Sequence, residues 1–456
     1  MSARIVVLGG GPAGDVAALR AAQLGAEVWL VERAHLGGTC LNWGCIPTKA
    51  LLASADLLRT IRHAADFGID VAEPRVNFAK MMSRKEDIVL RQRAGVEAAC
   101  KRKKVEVVHG QGTVAAEAVV VNGKRFPYDF LIVATGTEPA GLPMLDMTQP
   151  SVITSNGVLR LEKIPERLLV LGGGVVGCEF ASLFAALGSD VTIVELLPRL
   201  LTAIDSRTAS QFQKMIEKEG VRVLTGCSIK DVVQYRRDGL VAQLDDGNRI
   251  EADKLLVSVG RLPQTREIGL EGSGVKIDRL GYIETDDFLR TANPKIYAVG
   301  DCRGGLQLAH KASAEGARAV ENALEHDPMP MDWSVIPSCI YTHPEIASVG
   351  LNADSAKEAG HDVKAGTARV IGNAKALAEG EPDGYVQIMT DAKTDRILGA
   401  TIIGIHAVEI IHEIAVAMSD ALTMSELGSI IHAHPTVSEL VMDAAEQGEG
   451  VAPYLS

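Results

Sequence analysis

Residues 8–32 read LGGGPAGDVAALRAAQLGAEVWLVE, and residues 171–195 read LGGGVVGCEFASLFAALGSDVTIVE. At an offset of 163, twelve of the 25 positions are identical without a gap, including the spacing from the first glycine to the closing glutamate. Each copy follows an apolar, strand-like run, opens a helical pattern and ends a second strand-like run in Glu. That is the context in which a G-x-G-x-x-G run carries a dinucleotide. Gly9 and Gly172 permit the tight turn, Gly11 and Gly174 let the backbone approach a pyrophosphate, and Gly14 and Gly177 let helix and strand pack closely. The helix N-terminus then faces the phosphates with its orphan N–H groups and partial positive charge. Glu32 and Glu195 stand where an acidic residue accepts hydrogen bonds from an adenosine ribose. The expectation is an α/β chain that binds two dinucleotides on two Rossmann-like units. Glu195 disfavours a 2′-phosphate and Leu196 offers it no charge, which points to NAD rather than NADP at the second unit; Arg199 is the one nearby basic residue against this.

Directly after the first fingerprint comes Gly37-Gly38-Thr39-Cys40-Leu41-Asn42-Trp43-Gly44-Cys45-Ile46-Pro47-Thr48-Lys49. In an ideal helix, Cα atoms five positions apart lie roughly 8–9 Å from each other, while a disulfide tolerates at most about 7 Å. If Cys40 and Cys45 bond, the segment is a distorted turn, with Gly44 supplying the backbone freedom. Such a strained, reachable disulfide is the kind that does redox work. The alternative is two buried free thiols; the glycine pair and the adjoining fingerprint favour the redox reading.

The remaining composition narrows the function class. The chain has 456 residues, 47% of them apolar, a net charge of −12 and seven cysteines. The acidic balance disfavours nucleic acid and anionic membrane as partners, and no apolar run approaches the roughly 18–20 residues of a membrane helix. No signal-peptide pattern follows Met1. An odd, scattered set of cysteines is unlike a secreted disulfide framework, and no metal-ligand spacing is present. Cys178 and Cys302 read as small packing residues. A cytoplasmic protein is expected. Residues 131–136 (LIVATG), 255–261 (LLVSVGR) and 296–301 (IYAVGD) each read as a strand running into a turn, the last ending in Asp301 at a strand end. From about Trp333 the texture changes: 367–372 and 386–404 read as strands, 406–419 and 424–432 as helices, and a final helix opens through Thr436.

Taken together, these motifs, with LAHKA at 308–312, YTHPE at 341–345 and HAHPT at 432–436, resemble the flavoprotein disulfide reductases, and within them the dihydrolipoamide-oxidising members, over essentially the whole chain. The resemblance implies FAD on the first fingerprint and NAD on the second. It implies a redox disulfide between Cys40 and Cys45, with Cys45 against the flavin and Cys40 exchanging with the dithiol substrate. Lys49 matches the family's lysine near the flavin and Glu179 its carboxylate partner. Thr135, Gly136, Gly260 and Arg261 match cofactor contacts, and Asp301 matches the carboxylate on the FAD ribityl chain. His434 matches the acid/base, supported by Glu439, while His432 reads as a packing residue; an imidazole, with an ordinary pKa near neutrality, suits proton transfer to and from thiols. In the family that histidine is supplied across a homodimer, and the His434-Pro435 bond is cis. The implied division is an FAD-binding domain at 1–141, an NAD-binding domain at 142–262, a central domain completing the FAD site at 263–333, and an α+β dimerisation domain at 334–456. The implied partners are lipoyl domains and the acyltransferase core of a 2-oxo-acid dehydrogenase or related lipoate-dependent complex. Departures are Ser313 and Ala314, where acidic residues are common, Asp15 in the first helix, and Trp43 between the cysteines. An NADPH-dependent reductase is disfavoured by Leu196. A non-catalytic assembly component is disfavoured by the intact cysteines and His434.

Overall fold

The computed structural model describes residues 2–325 and 327–451. The two fingerprints build two parallel five-stranded sheets. In the first, the order is Ile296–Ala298, Phe130–Val133, Arg4–Leu8, Glu27–Glu32, Glu106–His109. In the second it is Arg222–Thr225, Asp190–Glu195, Arg167–Leu171, Lys254–Val257, Val152–Ile153. Parallel strands covered on both faces read as continuous apolar runs rather than alternating ones. Ile5, Val6 and Val7, like Leu168, Leu169 and Val170, are accordingly all buried. The helices Pro12–Gln23 and Val175–Ala186 make the first crossovers. The repeat even includes the sheet edge: Arg4 and Arg167, 163 apart, each bond the carboxylate of a residue beside the central strands, Asp129 and Asp253, through both backbone N–H and guanidinium.

The strand Ile296–Ala298, from the segment between the second sheet and the C-terminal part, pairs with Phe130–Val133 in parallel and ends at Gly300-Asp301, at the mouth of the first sheet. The C-terminal part is an antiparallel sheet ordered Ser338–Ile340, Ile346–Gly350, Ile397–Ile403, Tyr385–Asp391, Val363–Arg369. The helices Ala407–Ser419 and Glu439–Glu449 pack on it, burying Ile410, Ile411, Ile414, Leu440, Val441 and Ala444.

Three local expectations change here. The strand expected at 367–372 ends at Arg369, where Val370–Gly372 forms a 3-10 turn. The helix expected at 424–432 stops at Gly428, and the residues beyond it form an irregular run holding His432 and His434. Thr436 does not cap the last helix: Ser438 takes that position, and Thr436 donates its backbone N–H to Glu439 at 2.9 Å. The local pattern sets element ends only weakly.

The helix Ala309–Leu324 crosses Pro12–Gln23 at Gly316, where a Cβ would lie 2.1 Å from the Ala13 carbonyl oxygen. Gly316→Ala is expected to push these helices apart and to destabilise the protein by about 1–3 kcal/mol, read as a lower unfolding midpoint in denaturant. An unchanged midpoint would mean that this crossing yields without cost.

Candidate functional site

Both glycine turns close on backbone. A Cβ on Gly9 would meet the Ala134 oxygen at 2.3 Å and one on Gly172 the Ser258 oxygen at 2.5 Å, and both residues have φ above +100°. Gly14 and Gly177 lie so close to the preceding turn that a Cβ would fall 1.8 and 2.0 Å from the Gly9 and Gly172 oxygens. Gly11 and Gly174 differ. A Cβ on Gly11 would meet only Gly38 Cα at 3.8 Å, and one on Gly174 nothing within 4 Å. The space beside those two backbones is open, and the helix N-termini face it without a side-chain cap. The residues thus fit a pyrophosphate at each turn.

The glutamates are fixed identically. Glu32 accepts from Gly10 N at 2.7 Å and Ala34 N at 2.7 Å; Glu195 accepts from Gly173 N at 2.6 Å and Leu197 N at 2.7 Å. Each carboxylate oxygen takes one backbone donor and keeps lone-pair capacity for a ribose hydroxyl. Both cradles open into one chamber of about 1950 Å³, whose wall includes Gly9, Gly11, Glu32, Gly172, Gly174 and Glu195.

The thiol pair lies on the same wall. Cys40 sits in the helix Gly38–Trp43, and Cys45 begins the helix Cys45–Arg62. Gly44 separates them at φ −140°, ψ −112°, so the segment is two helices meeting at a sharp break, as a close thiol pair requires. Asn42, buried beneath, binds the Leu36 and Gly38 carbonyls at 3.0 and 2.9 Å and receives Arg93 at 3.0 and 2.7 Å, which pins the Cys40 turn. Both cysteines are free thiols in this structure. They share a hydrogen bond that separates their acidities. That bond lowers Cys45 most, to about 7; burial opposes it, the Lys49 ammonium adds to the lowering, and the Glu179 carboxylate raises it. The same bond, with burial, raises Cys40 well above the usual thiol range.

Lys49 Nζ binds both Glu179 oxygens, at 2.9 and 2.8 Å. Glu179 comes from the second fingerprint helix and is 4% exposed. Asp301 follows the strand Ile296–Ala298 and accepts from Thr137 Oγ1 at 2.9 Å, while Arg261 holds Thr137 through Oγ1 at 2.7 Å and the carbonyl at 2.8 Å. Thr135, Gly136, Gly260, Arg261 and Asp301 all line the chamber. Cys178 and Cys302 are fully buried, their thiols directed at the backbone oxygens of Gly173 and Val299.

His434 and Glu439 stand elsewhere. His434 Nδ1 lies 2.9 Å from Glu439 Oε1, and the other carboxylate oxygen takes the Thr436 N–H. The imidazole is 74% exposed and does not line the chamber. His434-Pro435 is cis. His432 is instead buried against Glu413 at 2.6 Å.

Several contributors were not foreseen from sequence. Thr137 bridges Asp301 and Arg261; it lies one residue past the 131–136 motif, the only local hint. Glu315, fully buried, accepts from Gly300 N at 2.5 Å, Arg303 at 2.9 Å and Lys311 at 2.8 Å, so it clamps the turn that carries Asp301. Tyr341, on the chamber wall, touches Lys49 and Glu179 together.

The model of the pyridine nucleotide-disulphide oxidoreductase family matches residues 3–316, and that of its dimerisation domain matches 336–445. The chain is 40% identical over 466 residues to the dihydrolipoyl dehydrogenase of Bacillus subtilis, covering 98% of each, and 40% identical over 449 residues to that of Thermus scotoductus, covering 97% and 96%. Among solved structures it resembles LpdA of Mycobacterium tuberculosis, with a TM-score of 0.91 and 28% identity over 97% of this chain and 99% of that one. It also resembles RclA of Escherichia coli, an HOCl-induced flavoprotein disulfide reductase, with a TM-score of 0.88 and 27% identity over 97% and 99%. No described helix is long and apolar enough to cross a membrane. Two duplicated nucleotide cradles around one thiol pair, and these full-length likenesses, lead to one conclusion: the chain belongs to the pyridine nucleotide-disulphide oxidoreductase family, FAD- and NAD-using enzymes.

Proposed function

We propose that this enzyme oxidises dihydrolipoamide to lipoamide and reduces NAD⁺ to NADH. The observation that carries the reading is the Cys40 and Cys45 thiol pair on the wall of the chamber into which both dinucleotide cradles open. The curated relatives of the same length are dihydrolipoyl dehydrogenases. FAD, held by the Gly9–Gly14 turn, Glu32, Thr135, Gly136 and Asp301, supplies the two-electron relay between the thiols and NAD⁺.

The chain's own residues handle the sulfur chemistry. Starting from the oxidised pair, His434 takes a proton from one substrate thiol, because the thiolate is the nucleophile. The thiolate attacks Cys40 Sγ; the Cys40–Cys45 bond breaks and Cys45 leaves as thiolate beside the Lys49 ammonium. A more acidic thiol leaves faster, which favours this direction of attack. The second substrate thiol, deprotonated in turn, attacks the substrate sulfur of the mixed disulfide and releases Cys40. The products are the cyclic disulfide, a Cys40 thiol that keeps one proton, a Cys45 thiolate and one proton released through His434. The pair then holds the two electrons.

With Glu439 fixing Nδ1, Nε2 of His434 is left to meet the substrate. Because His434 lies outside the chamber of its own chain, the active site is completed in a homodimer, with His434 supplied by a second copy. The segments 1–141, 142–262, 263–333 and 334–456 serve as FAD, NAD, central and dimerisation units of a cytoplasmic enzyme that docks lipoyl domains of an acyltransferase core. NAD is preferred over NADP because Leu196, 66% exposed beside Glu195, brings no charge, and Arg199 spends its guanidinium on the Ile204 and Thr202 carbonyls.

The direct test is steady-state turnover of FAD-loaded protein with dihydrolipoamide and either NAD⁺ or NADP⁺. Rapid NAD⁺-linked oxidation with little NADP⁺ activity is expected; no turnover, with the thiol pair still reducible, would sink the substrate assignment. Leu196→Arg should raise the NADP⁺/NAD⁺ ratio of kcat/KM roughly ten- to hundredfold, as one charged hydrogen bond of about 1.5–3 kcal/mol would. His434→Gln should lower dihydrolipoamide oxidation by about 10²–10⁴-fold, and far more than it lowers electron transfer from NADH to ferricyanide. Equal losses in both assays would remove His434 from the proton transfer.

A further inference from the structure

The Lys49–Glu179 pair has a third member that neither the motifs nor the mechanism assigns. Tyr341 follows the strand Ser338–Ile340 of the C-terminal sheet. Its ring lies with the Lys49 Nζ 4.4 Å from the centroid, a cation–π contact. Its backbone N–H donates to Glu179 Oε1 at 3.1 Å. One residue thus meets both ends of the ion pair, the ammonium with its ring and the carboxylate with its main chain. Lys49 is four residues past Cys45 in the helix Cys45–Arg62, one turn along the same face. Cys45, Lys49, Glu179 and Tyr341 share the chamber wall.

We propose that Tyr341 is a positioning residue for the redox pair: its ring and its N–H hold Lys49 and Glu179 in the arrangement that keeps the ammonium directed at Cys45. The ring face does this, not the hydroxyl. The phenol makes no hydrogen bond among the described residues, and burial pushes it up to about 12, so it faces Lys49 as a neutral ring. Unheld, the ammonium has only Glu179 and water to settle on, and the positive potential at Cys45 falls. The groups whose charge acts on Cys45 are Cys40 from the preceding helix, Lys49 from its own and Glu179 from the second fingerprint helix, and Cys45 in turn acts on Arg261 and Tyr341 of the chamber wall. Of these, Lys49 is the one Tyr341 touches through its side chain. The contact also ties docking of the C-terminal domain to the acidity of a thiol in the first domain.

The proposal rests on the reading of Cys45 as the thiol beside the flavin. The test is a pH titration of the FAD-loaded, two-electron-reduced enzyme, following the long-wavelength absorbance of a thiolate against oxidised flavin. Tyr341→Phe should titrate as wild type. Tyr341→Leu should move the midpoint up by about half a pH unit, the size expected from one exposed-to-buried cation–π contact. In a Lys49→Met background, where the contact is already gone, adding Tyr341→Leu should move nothing further. A Leu variant that titrates as wild type, a Phe variant that shifts as far as Leu, or a full shift retained in the Lys49→Met background would each overturn the proposal. If Tyr341→Leu lowers the yield of folded protein, a Tyr341→Phe midpoint raised by about half a pH unit above wild type would still overturn the proposal. Absence of the thiolate band in wild type would instead refute the placement of Cys45, and this proposal with it; a wild-type band with unshifted variants refutes the role of Tyr341 alone.

Discussion

A buried carboxylate needs compensating partners, because leaving one unpaired costs several kcal/mol. Glu179 is such a group, and it and its two partners come from three parts of the chain. The carboxylate is on the second fingerprint helix, the ammonium of Lys49 on the helix that begins with Cys45, and the N–H of Tyr341 on the C-terminal sheet. The interaction is satisfied only when the first nucleotide unit, the second and the C-terminal domain are docked together. Docking these three parts therefore also fixes the Lys49–Glu179 ion pair on the chamber wall that carries Cys45.

Around this junction the chain uses one device twice. Gly10 and Gly173 donate to Glu32 and Glu195 in the same way, and Arg4 and Arg167 close the sheet edges in the same way. The copies diverge where chemistry is required. After Glu32 the chain runs into the broken helix of Cys40 and Cys45; after Glu195 it runs into Leu196, Leu197 and a loop held by Arg199. Duplication supplies two glycine turns facing one chamber, and the segment that follows only the first of them carries the thiol pair.

The duplicated fingerprints were legible because the roles of their glycines are steric and local. A side chain at Gly14 or Gly177 would overlap the backbone of its own turn, whatever surrounds it. Element ends in the C-terminal part were less legible. Thr436 has the residue type of a helix cap, yet Glu439 reaches back to its N–H and the helix starts at Ser438. The run after Gly428 keeps an apolar pattern, with Ile430 and Ile431, but it is exposed and irregular. A hydrophobic period records which residues lie on one face, not which surface that face will meet.

The two glycine-rich turns, the cysteine pair with a break at Gly44, and the His434–Glu439 pair could be read from the chain alone. Each depends on residues a few positions apart, whose geometry the local backbone largely sets. How those pieces meet depends on the fold. Thr137, Glu315 and Tyr341 act across separations of more than ten to well over a hundred positions, and the motifs that lie beside or include them do not say what they touch. The fold also decided the difference in acidity between Cys40 and Cys45, because that difference is the sum of a shared hydrogen bond, burial and charges carried by separate elements. Electrostatic effects depend on distance in space, and sequence spacing does not record that distance once the chain has folded.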